Sequence, residues 1–224
     1  LRPLMQRAAL AAQAFVAEAK GPVKAKVAAP NGRVDRVAAD REQHAVHGFG
    51  WYATYAEVMT QVSAWADSLQ AEGRFGEVEQ LLAQLLFAEY AAQMVGGVAM
   101  NQGEVIRPAE LGVDPAATAK LAAAFAPLAG GASQAVKSRI GELLVQSRGR
   151  PTFEQTGLDE TVEMIRDQFH ALAEEKVVPF AHDWHLKDQL IPLELIKELG
   201  DLGVFGLTVP EEYGGAGMGK SAIH

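Results

Sequence analysis

An eight-residue stretch near residue 220 has the spacing of a phosphate-binding loop. Gly214 is followed, after four residues, by Gly219-Lys220-Ser221. In such a loop backbone N–H groups bind phosphates, the lysine neutralises their charge and the hydroxyl binds Mg²⁺, provided that a strand precedes the loop and a helix follows it. Here Glu211-Glu212 precede it and three residues follow Ser221. Because these carboxylates would repel a triphosphate, nucleotide binding at Gly214–Ser221 is kept as a third alternative.

Two histidine pairs have a spacing that would suit a metal ion. His44 and His47, like His182 and His185, are three residues apart, which places both rings of a pair on one face of a helix. Neither pair is accompanied by carboxylates in the pattern of a metal site. We therefore interpret all four as solvated or core-edge side chains and predict no metal ligand.

Other residues could in principle bind a ligand or transfer a proton. Trp51, Tyr52 and Tyr55 could line a pocket, but aromatic residues at helical spacing usually fill the core of a bundle. The pairs Asp159-Glu160 and Glu174-Glu175 could act as acid and base if burial raised one pKa, whereas on exposed faces they add solubility. We assign no catalytic and no cofactor-binding residue to this chain.

Helices are predicted to position all of these residues. Apolar residues at three- and four-residue intervals predict a helix over 4–19 that ends at Gly21-Pro22, followed by a loop over 21–34. Further helices are predicted over about 35–70 with a break allowed at Gly48-Phe49-Gly50, over 75–100, from Asp114-Pro115 to Pro127, and over 133–146. No hairpin is predicted, and the fold class is all-α.

The stretch Ser147-Arg148-Gly149-Arg150-Pro151-Thr152 separates two helical patterns and is typical of an exposed linker. It predicts two domains, 1–150 and 151–224. In the second, an amphipathic helix from about Leu158 ends or bends at Pro179, a short helix covers 192–200, and residues 203–210 are expected to be extended.

Composition excludes several classes of protein. The chain is 49% hydrophobic and 21% charged, which indicates a globular fold. The net charge is −8, and no stretch clusters Lys and Arg on one face strongly enough to neutralise a phosphate backbone, which argues against nucleic acid as a partner. The apolar stretches are too short to cross a bilayer. The absence of cysteine excludes disulfides and thiolate sites and suits a reducing cytoplasm, where we expect the protein.

Over about residues 155–219 the chain resembles the N-terminal helical domain of acyl-CoA dehydrogenases. The residues that carry the resemblance are Val178-Pro179-Phe180-Ala181, Trp184, Pro192-Leu193, Leu195, Leu199-Gly200, Leu202-Gly203-Val204-Phe205-Gly206-Leu207 and Val209-Pro210-Glu211-Glu212-Tyr213-Gly214-Gly215-Ala216-Gly217. The last segment is the specific part of the pattern. The resemblance implies flavin-dependent α,β-dehydrogenation of an acyl-CoA, with FAD, an electron-transfer flavoprotein as oxidant and a homo-oligomeric enzyme.

In that family a middle β domain and a C-terminal helical domain hold the flavin and the glutamate that removes the α-proton. The resemblance therefore implies that residues 151–224 are an incomplete N-terminal helical domain and that the 224-residue chain is inactive alone. A non-catalytic helical interaction or assembly module is the alternative. Under this alternative, the chain would be a stable helical fragment whose only role is to mediate assembly.

The first 150 residues lie outside the usual family pattern. They resemble the helical N-terminal extension of the (2S)-methylsuccinyl-CoA dehydrogenases, a branch of the family. This resemblance implies a short branched substrate, oxidation of (2S)-methylsuccinyl-CoA to mesaconyl-CoA and a place in the ethylmalonyl-CoA pathway. Our hypothesis for the extension is that it packs over the substrate-side domain and restricts acyl size.

Overall fold

The computed structural model describes residues 1–146 and 159–222. The chain divides into two compact units, Leu1–Gly157 (unit 1) and Leu158–His224 (unit 2). The predicted all-α fold is confirmed, since helices dominate both units and one short hairpin interrupts them. The predicted boundary at 150/151 lies outside the described residues.

Unit 1 contains six α-helices, one hairpin and two 3-10 turns in its described part. They are α1 (Arg2–Val27), α2 (Arg36–Arg41), α3 (Gln43–Ala71), α4 (Glu77–Gly96), β1 (Val98–Asn101), β2 (Glu104–Ile106), a 3-10 turn (Pro108–Leu111), α5 (Pro115–Phe125), a second 3-10 turn (Ala126–Ala132) and α6 (Gln134–Gln146). As predicted, Asp114 caps α5 by accepting a hydrogen bond from the N–H of Ala116, and Pro115 is its first residue.

The long helices α1 and α3 form an antiparallel pair. Their order is visible in the contacts, because Arg2 near the start of α1 bonds to Asp67 near the end of α3, at 2.6 Å. Further along, the rings of Phe15 and Tyr52 lie 5.5 Å apart in the core. Buried alanines on the facing stripe of α1 allow the two backbones to approach closely: Ala8, Ala12 and Ala19.

Helix α1 does not end where the sequence suggests. It continues through Gly21-Pro22 to Val27, so the prediction of a loop from residue 21 is wrong in its first part. Proline removes one N–H from the helix ladder. Burial of Val23 and Val27 against the core offsets that loss.

The structure also corrects the predicted break within 35–70 and the prediction that the chain has no hairpin. The break in 35–70 falls at Glu42, and α3 runs without interruption through Gly48. The hairpin of β1 and β2 was missed because its strands are only four and three residues long, although Gln102-Gly103 lie between them. Gly48 has a packing role, since a Cβ there would overlap the side chain of Ile106 on β2.

Unit 2 contains three α-helices and three 3-10 turns in its described part. They are α7 (Glu160–Lys176), α8 (Val178–Leu186), α9 (Leu193–Asp201) and the turns Val204–Gly206, Glu211–Tyr213 and Lys220–Ala222. Asp159 caps α7 through the N–H of Val162. As the sequence predicts, α7 ends close to Pro179, which is the second residue of α8 after a break at Val177. Residues 203–208 form turns and a bend follows at Val209, so the prediction of extended chain over 203–210 is wrong for most of the segment.

Candidate functional site

The glycine-rich segment Val209–Gly217 of unit 2 folds into a compact double turn. The N–H of Ala216 donates to the carbonyl of Gly206 at 2.9 Å, and that of Gly217 donates to Val209 at 2.9 Å. Gly214 has φ of 83°, a left-handed conformation that side chains disfavour. A Cβ on Gly215 would overlap the carbonyl oxygen of Val209. The glycines of this segment therefore allow two stretches of backbone to pack closely against each other.

This geometry does not support the phosphate-loop alternative. The five successive N–H groups of residues 214–218 all donate to backbone carbonyls of the same unit, which leaves none of them to bind a phosphate. The 3-10 turn Glu211–Tyr213 stands where a strand should precede the loop, and the 3-10 turn Lys220–Ala222 stands where a helix should begin.

An apolar groove lies between α7, α8 and α9. Its volume is about 420 Å³, and its lining residues are Lys176, Phe180, Trp184, Pro192, Glu194, Leu195 and Glu198. The rings of Phe180 and Trp184 stack at 5.9 Å along one wall. Lys176 pairs with Glu198, whose hydrogen bond raises the pKa of the lysine, so its amine is protonated at neutral pH and cannot act as a base.

Unit 2 exposes many large apolar side chains. Among its described residues, the large apolar side chains that are buried are Val162 and Leu195. The exposed ones are Met164, Val178, Phe180, Leu186, Leu190, Ile191, Leu193, Ile196, Leu202, Phe205 and Tyr213. We call this set the apolar face of unit 2. Large apolar side chains exposed in such number favour a contact with another part of a protein or with a partner.

The two histidines of the first pair have different partners. His44 lies between two carboxylates, with Nδ1 3.1 Å from Glu104 Oε1 and Nε2 3.3 Å from Glu110 Oε1. His47 instead accepts a hydrogen bond from the indole N–H of Trp51 at 3.0 Å. The two carboxylates are therefore partners of one ring in an ion pair. Glu104 and Glu110 lie 60 and 66 positions from His44 along the chain, so the spacing of residues in the sequence did not reveal this contact.

No group of three or more metal-ligating side chains occurs within residues 1–146 and 159–222. His182 and His185 both lie on α8 and are exposed. The pairs Asp159-Glu160 and Glu174-Glu175 are exposed as well, which matches the interpretation of these carboxylates as solubilising charge.

The aromatic cluster of α3 is part of the core of unit 1. Tyr52 is fully buried, and its hydroxyl donates to the carbonyls of Met94 at 3.1 Å and Ile106 at 3.5 Å. Burial raises the pKa of Tyr52, which keeps the hydroxyl protonated. Tyr55 stacks on Tyr90 with ring centroids 3.9 Å apart. The cluster fills the bundle, in agreement with the prediction.

Within the described part of the chain, no helix combines the length and the apolar character needed to cross a bilayer.

Comparison with known proteins relates both units to acyl-CoA dehydrogenases. The family model described as "Acyl-CoA dehydrogenase, N-terminal domain" matches residues 159–223. A (2S)-methylsuccinyl-CoA dehydrogenase of Cereibacter sphaeroides is 42% identical over 211 residues, which are 94% of this chain and 38% of the relative. The chain thus spans about two fifths of that relative's length.

Matches to other members of the family are shorter. A glutaryl-CoA dehydrogenase of Desulfococcus multivorans is 36% identical over 61 residues, 27% of this chain and 16% of the relative. The mitochondrial short-chain specific acyl-CoA dehydrogenase of Rattus norvegicus is 33% identical over 99 residues, 44% of this chain and 23% of the relative. With the helical domain and glycine-rich turn of unit 2, these matches show that the chain belongs to the acyl-CoA dehydrogenase family, as an N-terminal portion.

Proposed function

We propose that the chain is the N-terminal part of a flavin-dependent enzyme that oxidises a short branched acyl-CoA, (2S)-methylsuccinyl-CoA, to mesaconyl-CoA. The observation that carries this proposal is the 42% identity to a (2S)-methylsuccinyl-CoA dehydrogenase over 94% of the chain. A match of that length includes the helical bundle of unit 1. The glutaryl-CoA and short-chain enzymes match 27% and 44% of the chain, so unit 1 is the part that favours the branched substrate class.

FAD is the cofactor that we propose for the whole enzyme. The glycine-rich segment does not fit a flavin diphosphate site, because the N–H groups of residues 214–218 are already bonded to carbonyls. We therefore assign no catalytic step to this chain. In this proposal flavin binding and removal of the α-proton belong to polypeptide outside the 224 residues.

The apolar face of unit 2 suggests what this unit contributes. Side chains such as Leu190, which is 91% exposed, and Leu193, which is 76% exposed, gain about 25 cal/mol for each Å² removed from water. We propose that this face packs against further polypeptide of the same enzyme. Unit 2 would then support the catalytic domains by packing, without contributing a reacting group.

The visible absorption spectrum of the complete enzyme tests the proposed activity. We expect a flavin band that bleaches on addition of (2S)-methylsuccinyl-CoA and persists with butyryl-CoA, a straight-chain control. Equal bleaching by both thioesters would contradict the substrate assignment. A complete protein without a flavin band would contradict the proposed activity as a whole.

We also propose that unit 1 restricts the size of the acyl group. The test is deletion of residues 1–146 from the complete enzyme, followed by measurement of kcat/KM for (2S)-methylsuccinyl-CoA and butyryl-CoA. The expected result is a lower ratio of the two values with flavin content unchanged. An unchanged ratio would dispose of this role.

A helical assembly module is the second candidate, in which the apolar face of unit 2 would bind another protein instead of further polypeptide of the same enzyme. The intact mass of the natural protein separates the two. A mass near 23.9 kDa favours the module, and a much larger mass favours the enzyme. For the enzyme we further propose a cytoplasmic homo-oligomer that passes electrons to an electron-transfer flavoprotein, to be tested by light scattering and by reduction of that protein.

A further inference from the structure

Positive charge is concentrated in the first 42 residues of this acidic chain. They contain eight Lys and Arg against four Asp and Glu, whereas the remaining residues contain twelve against twenty-four. The first part therefore carries a net charge of +4 and the rest −12, which together give the net charge of −8. Six of the eight cations lie between Lys20 and Arg41, in the last turns of α1, the turn that follows it and α2. We call residues 20–41 the basic tip.

Most cations of the basic tip have no carboxylate partner. All six are exposed: Lys20, Lys24, Lys26, Arg33, Arg36 and Arg41. Lys26 and Arg41 share Glu42, at 3.7 and 3.4 Å. The other four form no ion pair with any described residue. Elsewhere in the described part of unit 1, five of seven cations are paired: Arg2, Arg74, Arg107, Lys137 and Arg139. In a chain rich in carboxylates, four free cations in one region leave an unsatisfied positive field.

The backbone of the basic tip is held in place. Ala28 and Val34 form an antiparallel bridge, and the N–H of Ala29 donates to the carbonyl of Arg33 at 2.8 Å. Asp35 then caps α2 by accepting the N–H groups of Val37 and Ala38 at 2.9 and 3.1 Å. A surface that is already ordered loses little conformational entropy when it binds a partner.

Apolar side chains accompany these cations. Val34 is 65% exposed and Val37 is 75% exposed, each within three residues of Arg33 or Arg36. Exposed branched side chains next to unpaired arginines are typical of protein interfaces, in which an apolar centre is surrounded by charged residues. A free phosphate or nucleotide would leave the valines without a partner.

The charge of the rest of the chain limits the size of the partner. An extended polyanion, such as a nucleic acid or an anionic bilayer, would reach past the basic tip and meet the rest of unit 1, where residues 43–146 carry ten Asp and Glu against five Lys and Arg. A compact partner can contact the tip alone. We infer that the basic tip binds an acidic protein surface in which carboxylates surround an apolar patch. This inference does not depend on the proposed enzymatic activity.

The inference can be tested with the 224-residue chain and a fluorescent helical peptide in which Glu and Leu form opposite faces. We expect binding at low salt that weakens as NaCl is added, since exposed charges are screened. Lys24→Glu with Arg36→Glu should weaken binding about tenfold or more, because attraction becomes repulsion. The matched control is Arg7→Glu with Lys120→Glu, which reverses two exposed, unpaired cations elsewhere in unit 1 and should leave binding unchanged.

Two further measurements make the test specific. Val37→Ser should weaken binding without changing its salt dependence, because it removes apolar contact and no charge. Vesicles of phosphatidylserine and phosphatidylcholine, and a single-stranded DNA oligonucleotide, should bind more weakly than the peptide. The inference is overturned by absence of peptide binding at low salt, by equal weakening in the control pair, or by tighter binding of vesicles or DNA. Circular dichroism checks that each variant is folded.

Discussion

In unit 1, Nδ1 of His44 lies 3.1 Å from Oε1 of Glu104, and the opposite ring nitrogen faces Glu110 at 3.3 Å. Carboxylates only accept hydrogen bonds, so both ring nitrogens must donate, and a histidine that donates from both is the imidazolium cation. The hydrogen bond to Glu104 accordingly raises the pKa of His44. The charged ring joins the start of α3 to β2 and to the turn Pro108–Leu111. Lys26, which approaches the carbonyl oxygen of Glu110 at 3.5 Å, and Arg107 are the nearby cations.

The first prediction concerns pH. Because the folded pKa of His44 is raised above its usual value of 6.5, this ion pair stabilises the fold fully below about pH 6.5. The contribution is lost as pH rises through the folded pKa. His44→Gln should therefore lower Tm at pH 6 and have little effect at pH 9. The side chain is 42% exposed, so the loss should stay below about 1 kcal/mol.

Thermal melts of the wild type and of His44→Gln at several pH values measure this difference. His182→Gln, which changes an exposed histidine of unit 2, is the matched control and should show no pH-dependent loss. A constant difference in Tm between the wild type and His44→Gln from pH 6 to pH 9 would count against the ion pair.

The second prediction compares two glycines of α3. Gly48→Ala should destabilise unit 1, because the new Cβ overlaps Ile106 and overpacking costs about 1–3 kcal/mol. Gly50 has open space around its Cα, so Gly50→Ala should be neutral or stabilise the helix by up to about 1 kcal/mol. Urea unfolding of the two variants gives the comparison, and equal effects would contradict the close approach of β2 to α3.

The third prediction concerns the hydroxyl of Tyr52. Tyr52→Phe should destabilise the protein by about 1–2 kcal/mol, because a fully buried hydroxyl loses the carbonyls of Met94 and Ile106. Tyr213, which is 76% exposed, provides the same chemical change at the surface of unit 2. Tyr213→Phe should leave the free energy of unfolding unchanged. A loss in Tyr52→Phe no larger than that in Tyr213→Phe would contradict a stabilising role of the buried hydroxyl.

The fourth prediction concerns the double turn of unit 2. Gly215→Ala should disrupt it, since the added Cβ overlaps the carbonyl of Val209. Gly206→Ala is the matched control, because a Cβ there would meet its nearest atom, on Gly215, at 3.7 Å, an ordinary contact. Amide hydrogen exchange of residues 206–218 should rise in Gly215→Ala and stay near the wild-type rate in the control. Unchanged protection in both would argue that the turn tolerates a side chain.

Local signals in the sequence were sufficient for several elements. Asp114-Pro115 predicted the start of α5, and Pro179 predicted the division between α7 and α8, because a cap or a proline acts on its own turn. The segment Val209–Gly217 was enough to indicate the family, since its glycines meet a backbone requirement within a few residues. None of these features depends on a distant part of the chain.

Other features depend on tertiary contacts. Helix α1 continues past Gly21-Pro22 because buried Val23 and Val27 stabilise it. The free energy gained by this burial cannot be read from the residues next to Gly21-Pro22 in the sequence. The short hairpin places Ile106 directly against Gly48 of α3, a contact that spacing along one helix does not reveal. His44 is paired with Glu104 and not with His47 because folding brings together residues sixty positions apart. The sequence alone determined the all-α class, the caps and the family. Only the tertiary structure decided which distant residues meet, because the spacing of side chains in the sequence identifies neighbours along one helix and not contacts between helices.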